Sequence, residues 1–370
     1  MCVFCTPSEC NREPQNNNKV LIMRIKTLAA AVTLSVAGLT LASPSFSAEA
    51  EYTFKLHHFL PPMSMAHSKF LQPWAEKIEA ESDGRIDIEL FPAMQLGGKP
   101  PQLFDQARKG IADITWTVGG YTPGRFPSAS VFELPFMPSS AEATSMAIQE
   151  YAEKEMADEL SDVHLLAMHT HAPGSLHARE TEIKTGADLD GMKLRAPNKV
   201  MAEAFSTLDA SPVFMPVPQM PSALSKGVLD VAVLPFEVVA PLKIHELVKH
   251  HTEIQGERGL YAQFFLFTMN KDAYESLPPD LQKVIDDNSG LELAGHIGSL
   301  FDEYEAVGRE AAVNQGNSFY TLSEEETANW KQAMQPVTDE WIEDTEDGQR
   351  LYDEAVELIK KYEAQVSKES

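Results

Sequence analysis

From Tyr52 onward, short stretches that alternate apolar and polar residues are interleaved with segments of helical periodicity. Tyr52–His58 alternates as a strand does, and residues 68–82 place their apolar side chains on one helical face. Strand patterns recur at Ile86–Phe91 and at residues 111–118, with a helical pattern at 102–109 between them. This succession predicts an α/β fold.

A second βα series starts near residues 163–169. Its further segments are residues 192–196, 199–208, 212–217 and 229–234, and the series ends before residues 261–269. Residues 278–314 predict one long helix, and residues 330–341 and 351–366 predict two more. The Gly- and Pro-rich segment 119–127 predicts a loop at the carboxyl end of a strand, where ligands bind in open α/β sheets. Two such series with long helices at the end suggest two lobes that the backbone crosses several times.

The first fifty residues have the pattern of an export signal. Residues 23–26 are a short basic start, residues 27–41 are apolar and small, and Ala48 and Ala50 are small residues at the −3 and −1 positions of a cleavage site. This predicts a cleaved secretory signal peptide, with Met23 as the start codon, and a periplasmic mature chain. The alternative is a membrane anchor, but the apolar run is shorter than the roughly 20 residues that a span needs.

Cysteine content and charge narrow the class of protein further. Cys2, Cys5 and Cys10 all precede Met23, so the mature chain has no thiol nucleophile, disulfide or thiolate metal site. Of 30 Lys and Arg and 55 Asp and Glu, four and three lie in residues 1–50, which leaves a mature net charge of −26. Such a surface repels nucleic acid and anionic lipid. An acid-binding site would therefore need its own local positive charge.

The segment DLDGMKLRAP at residues 188–197 resembles the D-L-x-G-x-K-[IL]-R-x-P motif of the DctP-type solute-binding proteins of tripartite ATP-independent periplasmic (TRAP) transporters. Four other segments match this family in the right order. They are FPAMQLGG at residues 91–98, FELPF at 132–136, ALSKGVLD at 223–230, and residues 270–282, which end in LPPDLQ. Each segment is weak alone, but five in order are strong, and the resemblance extends over essentially the whole mature chain.

This resemblance implies an α/β, two-lobed, type II-like periplasmic binding fold, with a ligand cleft between the lobes and a long helix spanning both. We expect one lobe from residues 51–173 and 260–300, and the other from residues 174–259 and 301–370. The lobes of the family close around a small organic acid, and the closed form docks on a membrane permease. We therefore expect a transport protein without cofactor. A ligand-sensing partner of a membrane receptor and a periplasmic enzyme are the alternatives.

Arg195 is the arginine of that motif, and the resemblance implies a bidentate salt bridge to the ligand carboxylate. The chemistry agrees, because a planar guanidinium presents parallel donors that match two carboxylate oxygens. A buried arginine at the end of a strand would also supply the positive charge that the acidic chain needs. The alternative is a structural arginine paired with a neighbouring Asp or Glu.

Two departures from the family bear on the ligand. Ser175, in a predicted loop at residues 173–177, stands where many sialic-acid and dicarboxylate binders have a second arginine, so we expect a monocarboxylate. Glu237 closes the segment LPFE at residues 234–237, near the position of an asparagine that this chain lacks. It would place an acid near the cleft and could receive an ammonium or hydroxyl group, or it could be a hinge or surface carboxylate. Lys99 is a candidate second cation.

Aromatic residues near the predicted cleft could wall a ring or a short carbon chain, as pockets are mostly apolar with a few polar groups. The candidates are His58, Phe59, Trp116, Tyr121, Phe236 and Phe264. Trp116 could equally belong to the core. His169 and His171 would share one face of a strand, but no carboxylate at a diagnostic spacing completes a zinc site, so we expect no metal.

The C-terminal segment carries an apolar stripe of Leu351, Ala355, Ile359 and Tyr362. We expect this helix to pack on the second lobe of a monomer, with exchange between two subunits as the alternative. Within residues 278–314, glycines are the weakest points of a helix. We expect any kink near Gly290 and Gly295.

Overall fold

The computed structural model describes residues 50–254 and 256–369. The predicted signal peptide and the proposed start at Met23 lie outside these residues. Within the two ranges, no helix is both long enough and apolar enough to cross a bilayer.

Strands form two sheets. The strands are β1 (Tyr52–His58), β2 (Ile86–Phe91), β3 (Ile114–Val118), β4 (Val163–Thr170), β5 (Ser175–Ala178), β6 (Lys193–Ala196), β7 (Ser211–Phe214), β8 (Val231–Leu234), β9 (His250–Glu253), β10 (Phe264–Asn270) and β11 (Ser318–Thr321). The first sheet has the order β2-β1-β3-β10-β4, with β1 parallel to β2 and β3, and β10 antiparallel to β3 and β4. The second has the order β11-β9-β5-β8-β6-β7, with β6 parallel to β7 and β8.

Helices connect and cover the sheets. They are α1 (Gln72–Glu81), α2 (Leu103–Arg108), α3 (Ala141–Glu155), α4 (Lys199–Ser206), α5 (Met220–Ser225), α6 (Lys271–Glu275), α7 (Pro279–Asp287), α8 (Gly290–Gln315), α9 (Glu324–Asp344) and α10 (Gly348–Glu369). A π-helix precedes α1 at Ala66–Leu71, and 3₁₀ turns include Gly119–Tyr121 and Phe236–Val238. The predicted α/β class is confirmed, with each sheet at the centre of one lobe.

The strand predictions were most accurate where the alternation is longest. Tyr52–His58 and Ile86–Phe91 are strands with the predicted bounds. The loop prediction at residues 173–177 is wrong, because Ser175 begins β5, which pairs with β8 and β9 inside the second sheet. Val163–Thr170 pairs with β10 in the first sheet, so the second series begins with β5 instead.

The long helix α8 joins the two lobes. In its middle, Asp302 accepts hydrogen bonds from the Ala141 and Glu142 N–H groups at the start of α3, in the first lobe. One turn later, Glu305 accepts hydrogen bonds from the Phe236 and Glu237 N–H groups, in the second lobe. The predicted helix that spans both lobes is therefore present, and two of its carboxylates hold one lobe each.

Close backbone contact makes this attachment possible. A Cβ atom at position 308 would lie 1.8 Å from the Phe236 carbonyl oxygen, so only glycine fits there. The single helix predicted for residues 278–314 is broken, since α7 ends at Asp287 and α8 begins at Gly290 with φ of 77°. The break falls at Gly290, one of the two predicted positions, whereas Gly295 lies inside α8 against the Met146 side chain.

The C-terminal helix α10 packs on the first lobe. The predicted stripe, Leu351, Ala355, Ile359 and Tyr362, is buried in one cluster with the α3 residues Ile148 and Tyr151. Ion pairs join the same two helices, between Arg350 and Glu155 and between Lys154 and Glu354. The expectation that this helix returns to the second lobe is therefore wrong. Residues 348–369 therefore pack on the first lobe, for which only residues 51–173 and 260–300 were predicted.

Candidate functional site

A cavity lies between the two sheets, at the edge where the parallel strands end. In the first lobe its lining residues lie on or after β1 and β3, or on β10, and they include Phe59, Trp116, Val118, Tyr121 and Phe265. The second lobe contributes residues on or after β6 and β8, which include Arg195, Leu234, Pro235, Glu237 and Val238. The carboxyl ends of parallel strands from both sheets meet here, and such edges are where open α/β sheets bind ligands.

Flat rings form the first-lobe wall of this interlobe cavity. The Phe59 and Trp116 rings stack 5.1 Å apart with 5° between their planes, and Trp116 stacks on Phe265 at 4.7 Å and 4°. His169 also stacks on Phe265, at 4.8 Å, and lies beside Trp116, with 6.0 Å between the ring centres; its Nε2 accepts a 2.8 Å hydrogen bond from the Trp116 indole N–H. Burial lowers the pKa of His169 to about 3, so this ring is neutral. The wall is apolar and suits another flat ring.

Arg195 supplies the positive charge of the cavity. It lies in β6 and is 1% exposed. Its Nε donates to the Met215 carbonyl oxygen at 3.0 Å, and its Nη1 donates to the Val233 carbonyl oxygen at 2.7 Å. Its Nη2 makes no hydrogen bond of ordinary geometry to a described residue, although the Tyr121 and Tyr261 hydroxyls lie close to the guanidinium. Two carbonyls therefore orient the guanidinium and leave one nitrogen available, and neither carbonyl neutralises the charge. The structural alternative, an ion pair with a neighbouring carboxylate, is absent from the described residues.

Glu237 adds an acid to the same cavity. Its side chain is 6% exposed, and its Oε2 has no hydrogen-bond partner among the described residues. Burial and the nearby Glu305 carboxyl raise the pKa of Glu237 well above its usual value. Burial also raises the pKa of Glu305 to about 7, although that carboxyl accepts two backbone hydrogen bonds.

The two lobes touch across the cavity. The Val217 N–H donates to the Tyr121 hydroxyl at 3.0 Å, and the Gln263 side-chain amide donates to the Pro197 carbonyl oxygen at 3.0 Å. The free space inside is about 30 Å³, on the order of one water molecule. Sites for drug-sized ligands enclose roughly 300–1,000 Å³. The lobes are therefore closed in this structure, and ligand entry requires them to separate.

Five of the ten predicted site residues line this cavity: Phe59, Trp116, Tyr121, Arg195 and Glu237. Among the others, Phe264 precedes Phe265 in β10 and points to the opposite face, because neighbouring strand residues alternate. It packs on Phe126 and lines a separate cavity of about 220 Å³. Phe236 turns into the second-lobe core, with its ring 4.9 Å from that of His177.

The remaining three lie elsewhere. His58 is fully buried behind the aromatic wall, and its Nε2 lies 2.9 Å from the His67 Nδ1. Its pKa is lowered to about 3, chiefly by burial. Ser175 is a buried residue of β5 opposite Leu234, outside the cavity lining. Lys99 is exposed in the turn before Pro100. The structure therefore corrects the expected placement of these three residues and of Phe236 and Phe264.

Sequence reasoning missed several lining residues. His171 and Gln263 are both in the cavity wall, where the Gln263 N–H donates to the His171 Nε2 at 3.0 Å. Burial lowers the pKa of His171 to about 4, so it is neutral near pH 7. No group of three or more His, Cys, Asp and Glu residues suited to a metal occurs within residues 50–254 and 256–369.

Comparison with known proteins identifies the family. The family model of the bacterial extracellular solute-binding proteins, family 7 (DctP), matches residues 56–344. A solved TRAP solute-binding protein from a marine metagenome, specific for aromatic acid ligands and co-crystallised with 3-hydroxybenzoate, is 49% identical, with a TM-score of 0.83 over 85% of this chain and 99% of that one.

Two further relatives agree with this match. A TRAP solute-binding protein from Rhodoferax ferrireducens T118, in complex with copurified benzoate, is 44% identical, with a TM-score of 0.84 over 85% of this chain and 99% of that one. The C4-dicarboxylate-binding periplasmic protein DctP of Rhodobacter capsulatus is 23% identical over 86% of this chain and 94% of its own. The chain is therefore a member of the DctP family and a solute-binding protein of a TRAP transporter, a transport component rather than an enzyme.

Proposed function

We propose that this protein captures a small aromatic monocarboxylate between its lobes and delivers it to the membrane permease of a TRAP transporter. That it binds a carboxylate-containing organic acid follows from its family; the aromatic ring and the single charge are our proposal. The observation that carries it is the unpartnered Nη2 of buried Arg195, which faces a cavity walled by stacked rings.

The charge of the site supports one carboxylate rather than two. Among the described residues that line the cavity, Arg195 is the single side chain with a permanent positive charge. His171 is neutral and Glu237 is an acid, so a second carboxylate would meet no cation. A buried charge without a partner costs several kcal/mol. Ser175 does not reach the cavity, so it does not itself determine the charge of the ligand. The lining residues nevertheless indicate the same single cationic clamp that was predicted from Ser175.

The wall supports an aromatic ligand. Phe59, Trp116 and Phe265 present nearly parallel rings, and aromatic pairs add about 0.5–1.5 kcal/mol beyond the burial of their area. The two solved relatives at 44% and 49% identity hold benzoate and 3-hydroxybenzoate, which combine one carboxylate with one ring. This cavity offers a partner for each of the two groups, with Arg195 for the carboxylate and the stacked rings for the ring.

Titration calorimetry tests the proposal. The mature chain is titrated with benzoate, with 3-hydroxybenzoate, with the aliphatic acids acetate and pyruvate, and with succinate. We expect the aromatic acids to bind more tightly than the aliphatic acids and succinate. In a thermal-shift assay, a ligand at a hundredfold its Kd adds about 2.7 kcal/mol of stability. Tighter binding of succinate than of every monocarboxylate would contradict the single clamp.

Export to the periplasm, a monomeric state and docking of the closed form on the permease belong to the same proposal. The family is extracytoplasmic, and the acidic surface does not favour direct contact with anionic lipid or nucleic acid. In the described residues α10 packs against α3 of the same chain, which supports a monomer over helix exchange. A light-scattering mass near twice that of the mature chain would contradict the monomer.

A further inference from the structure

Besides Arg195, Glu237 is a polar side chain of the interlobe cavity that has an atom without a hydrogen-bond partner among the described residues. The side chain is 6% exposed and lines the cavity, and its Oε2 has no hydrogen-bond partner among the described residues. A buried polar atom without a partner costs about 1–3 kcal/mol. Native proteins keep such atoms rarely, and commonly at sites where another molecule supplies the bond.

The backbone around Glu237 is held firmly in place. Its N–H donates to Glu305 at 2.9 Å, and the N–H of Phe236 donates to the same carboxyl at 3.0 Å. Phe236 is buried in the second-lobe core between His177 and Phe319. The Glu237 side chain is therefore positioned by a rigid support rather than by a mobile loop, as a specificity-determining group should be.

The charge state of Glu237 decides which ligand group can face it. Burial and the nearby Glu305 raise the pKa of Glu237 well above its usual value, which favours the protonated, neutral carboxyl. A neutral carboxyl offers one O–H donor and an acceptor oxygen. A ligand ammonium would require Glu237 to ionise beside Glu305 in a buried site, and a second ligand carboxylate would meet a group that resists negative charge. A hydroxyl group can donate and accept without either cost.

We infer that the ligand is a hydroxylated aromatic monocarboxylate, whose ring hydroxyl pairs with Glu237 while its carboxylate pairs with Arg195. This inference rests on the proposed function, since it assumes an aromatic acid in the same cavity. Glu237 then distinguishes hydroxylated from unsubstituted rings. A site built to bond a substrate hydroxyl discriminates strongly against the analogue that lacks it, because the buried partner stays unpaired.

Calorimetry with a matched ligand series tests this role. Benzoate and its 2-, 3- and 4-hydroxy derivatives are titrated into the wild-type protein, Glu237→Gln and Glu237→Leu. We expect one hydroxy isomer to bind at least about tenfold more tightly than benzoate to the wild type. In Glu237→Leu this ratio should fall to about threefold or less, and Glu237→Gln should keep part of it, because an amide still donates and accepts.

Glu133→Gln is the matched control. Glu133 is also a buried glutamate, with a pKa raised to about 8 by burial, but it lines the separate cavity near Phe264. We expect this variant to keep the wild-type ratio. Circular dichroism melting of each variant verifies folding, and the near-isosteric Glu237→Gln keeps the test decisive if Glu237→Leu does not fold.

The outcomes separate the two claims. If benzoate binds but no hydroxy isomer is preferred, or if the preference survives in Glu237→Leu, the role of Glu237 is refuted while the proposed function stands. If Glu133→Gln loses the preference as fully as the Glu237 variants do, the effect is not local and the inference fails. If no aromatic acid binds the wild type, the proposed function and this inference fall together.

Discussion

Replacing Arg195 separates a ligand-binding arginine from a structural one. The Nε and Nη1 atoms of this side chain donate to two carbonyl oxygens, of Met215 and Val233, and Nη2 has no partner of ordinary geometry among the described residues. The charge is buried, and no carboxylate of residues 50–254 and 256–369 forms an ion pair with it. Arg195→Met retains most of the side-chain volume and removes both the charge and the donors.

Two opposing terms set the stability of Arg195→Met. Two carbonyls lose charged donors, which costs about 1–3 kcal/mol for each unsatisfied group. The variant also relieves an uncompensated buried charge, whose penalty is itself several kcal/mol. We therefore expect the free energy of unfolding of the unliganded protein to change by less than about 2 kcal/mol.

The affinity should respond far more strongly. In the complex the ligand carboxylate would lose its partner inside a closed cavity, which costs roughly 3–5 kcal/mol, or about two to nearly four decades in Kd. Arg195→Lys should also lose most of the binding, because an ammonium cannot bond two carbonyls and a carboxylate in the planar fork of a guanidinium.

Calorimetry with the tightest-binding aromatic acid and urea unfolding of the unliganded proteins measure the two quantities. Arg258→Met is the control, since Arg258 is also largely buried but pairs with Glu363, away from the cavity. The control should keep native affinity. Native affinity in Arg195→Met would refute the clamp. A large loss of stability in that variant, with affinity kept in the folded fraction, would show a structural arginine.

Three further predictions concern the scaffold and its motion. Gly308→Ala should lower the free energy of unfolding by more than about 2 kcal/mol, because the new Cβ would lie 1.8 Å from the Phe236 carbonyl oxygen; Gly295→Ala, which meets only the flexible Met146 side chain, is the control in the same urea titration. His169 stays neutral when folded, with a pKa of about 3, while the unfolded chain protonates below about pH 6.5, so its contribution to stability is lost as the pH falls. His169→Gln should therefore reduce the slope of unfolding free energy against pH by about 1.4 kcal/mol per unit between pH 4 and 6, and an unchanged slope would contradict this. Small-angle scattering should show the radius of gyration falling as ligand is added, and an unchanged curve at saturation would argue for a rigid pocket.

Local sequence patterns predicted where helices and strands lie better than they predicted which other elements these contact. Alternation located β1 and β2 with the observed bounds, because a half-buried strand must alternate. The apolar stripe of α10 was also predicted, and its four residues are buried. An amphipathic stripe shows only that a helix packs, so its attachment to α3 could not be predicted from the helix itself. The strands β5, β9 and β11 were missed because each contains two or more polar residues, whereas the equally short β8 is a continuous apolar run.

The site shows the same limit at the level of single residues. Arg195 was predicted because a motif marks it, and Trp116 and Tyr121 because they lie at or after the end of a clear strand. Phe264 was preferred to Phe265, although a shift of one residue along a strand exchanges its two faces. Register depends on pairing with β3 and β4, which are distant in sequence. The free Nη2 of Arg195 depends on carbonyls from two other segments and could not be predicted.

The position of Glu305 connects the ligand site to lobe movement. Its carboxyl holds the N–H groups of Phe236 and Glu237, and one turn earlier on α8 Asp302 holds the start of α3 in the other lobe. A ligand that contacts Arg195 and Glu237 in the second lobe and the ring wall of the first makes more contacts when the lobes are closed. Only such a difference in binding between the two states can shift their equilibrium. Because the same helix supports Glu237 and is bonded to the first lobe three residues earlier, separation of the lobes must change the helix between Asp302 and Glu305 or release one of these two attachments.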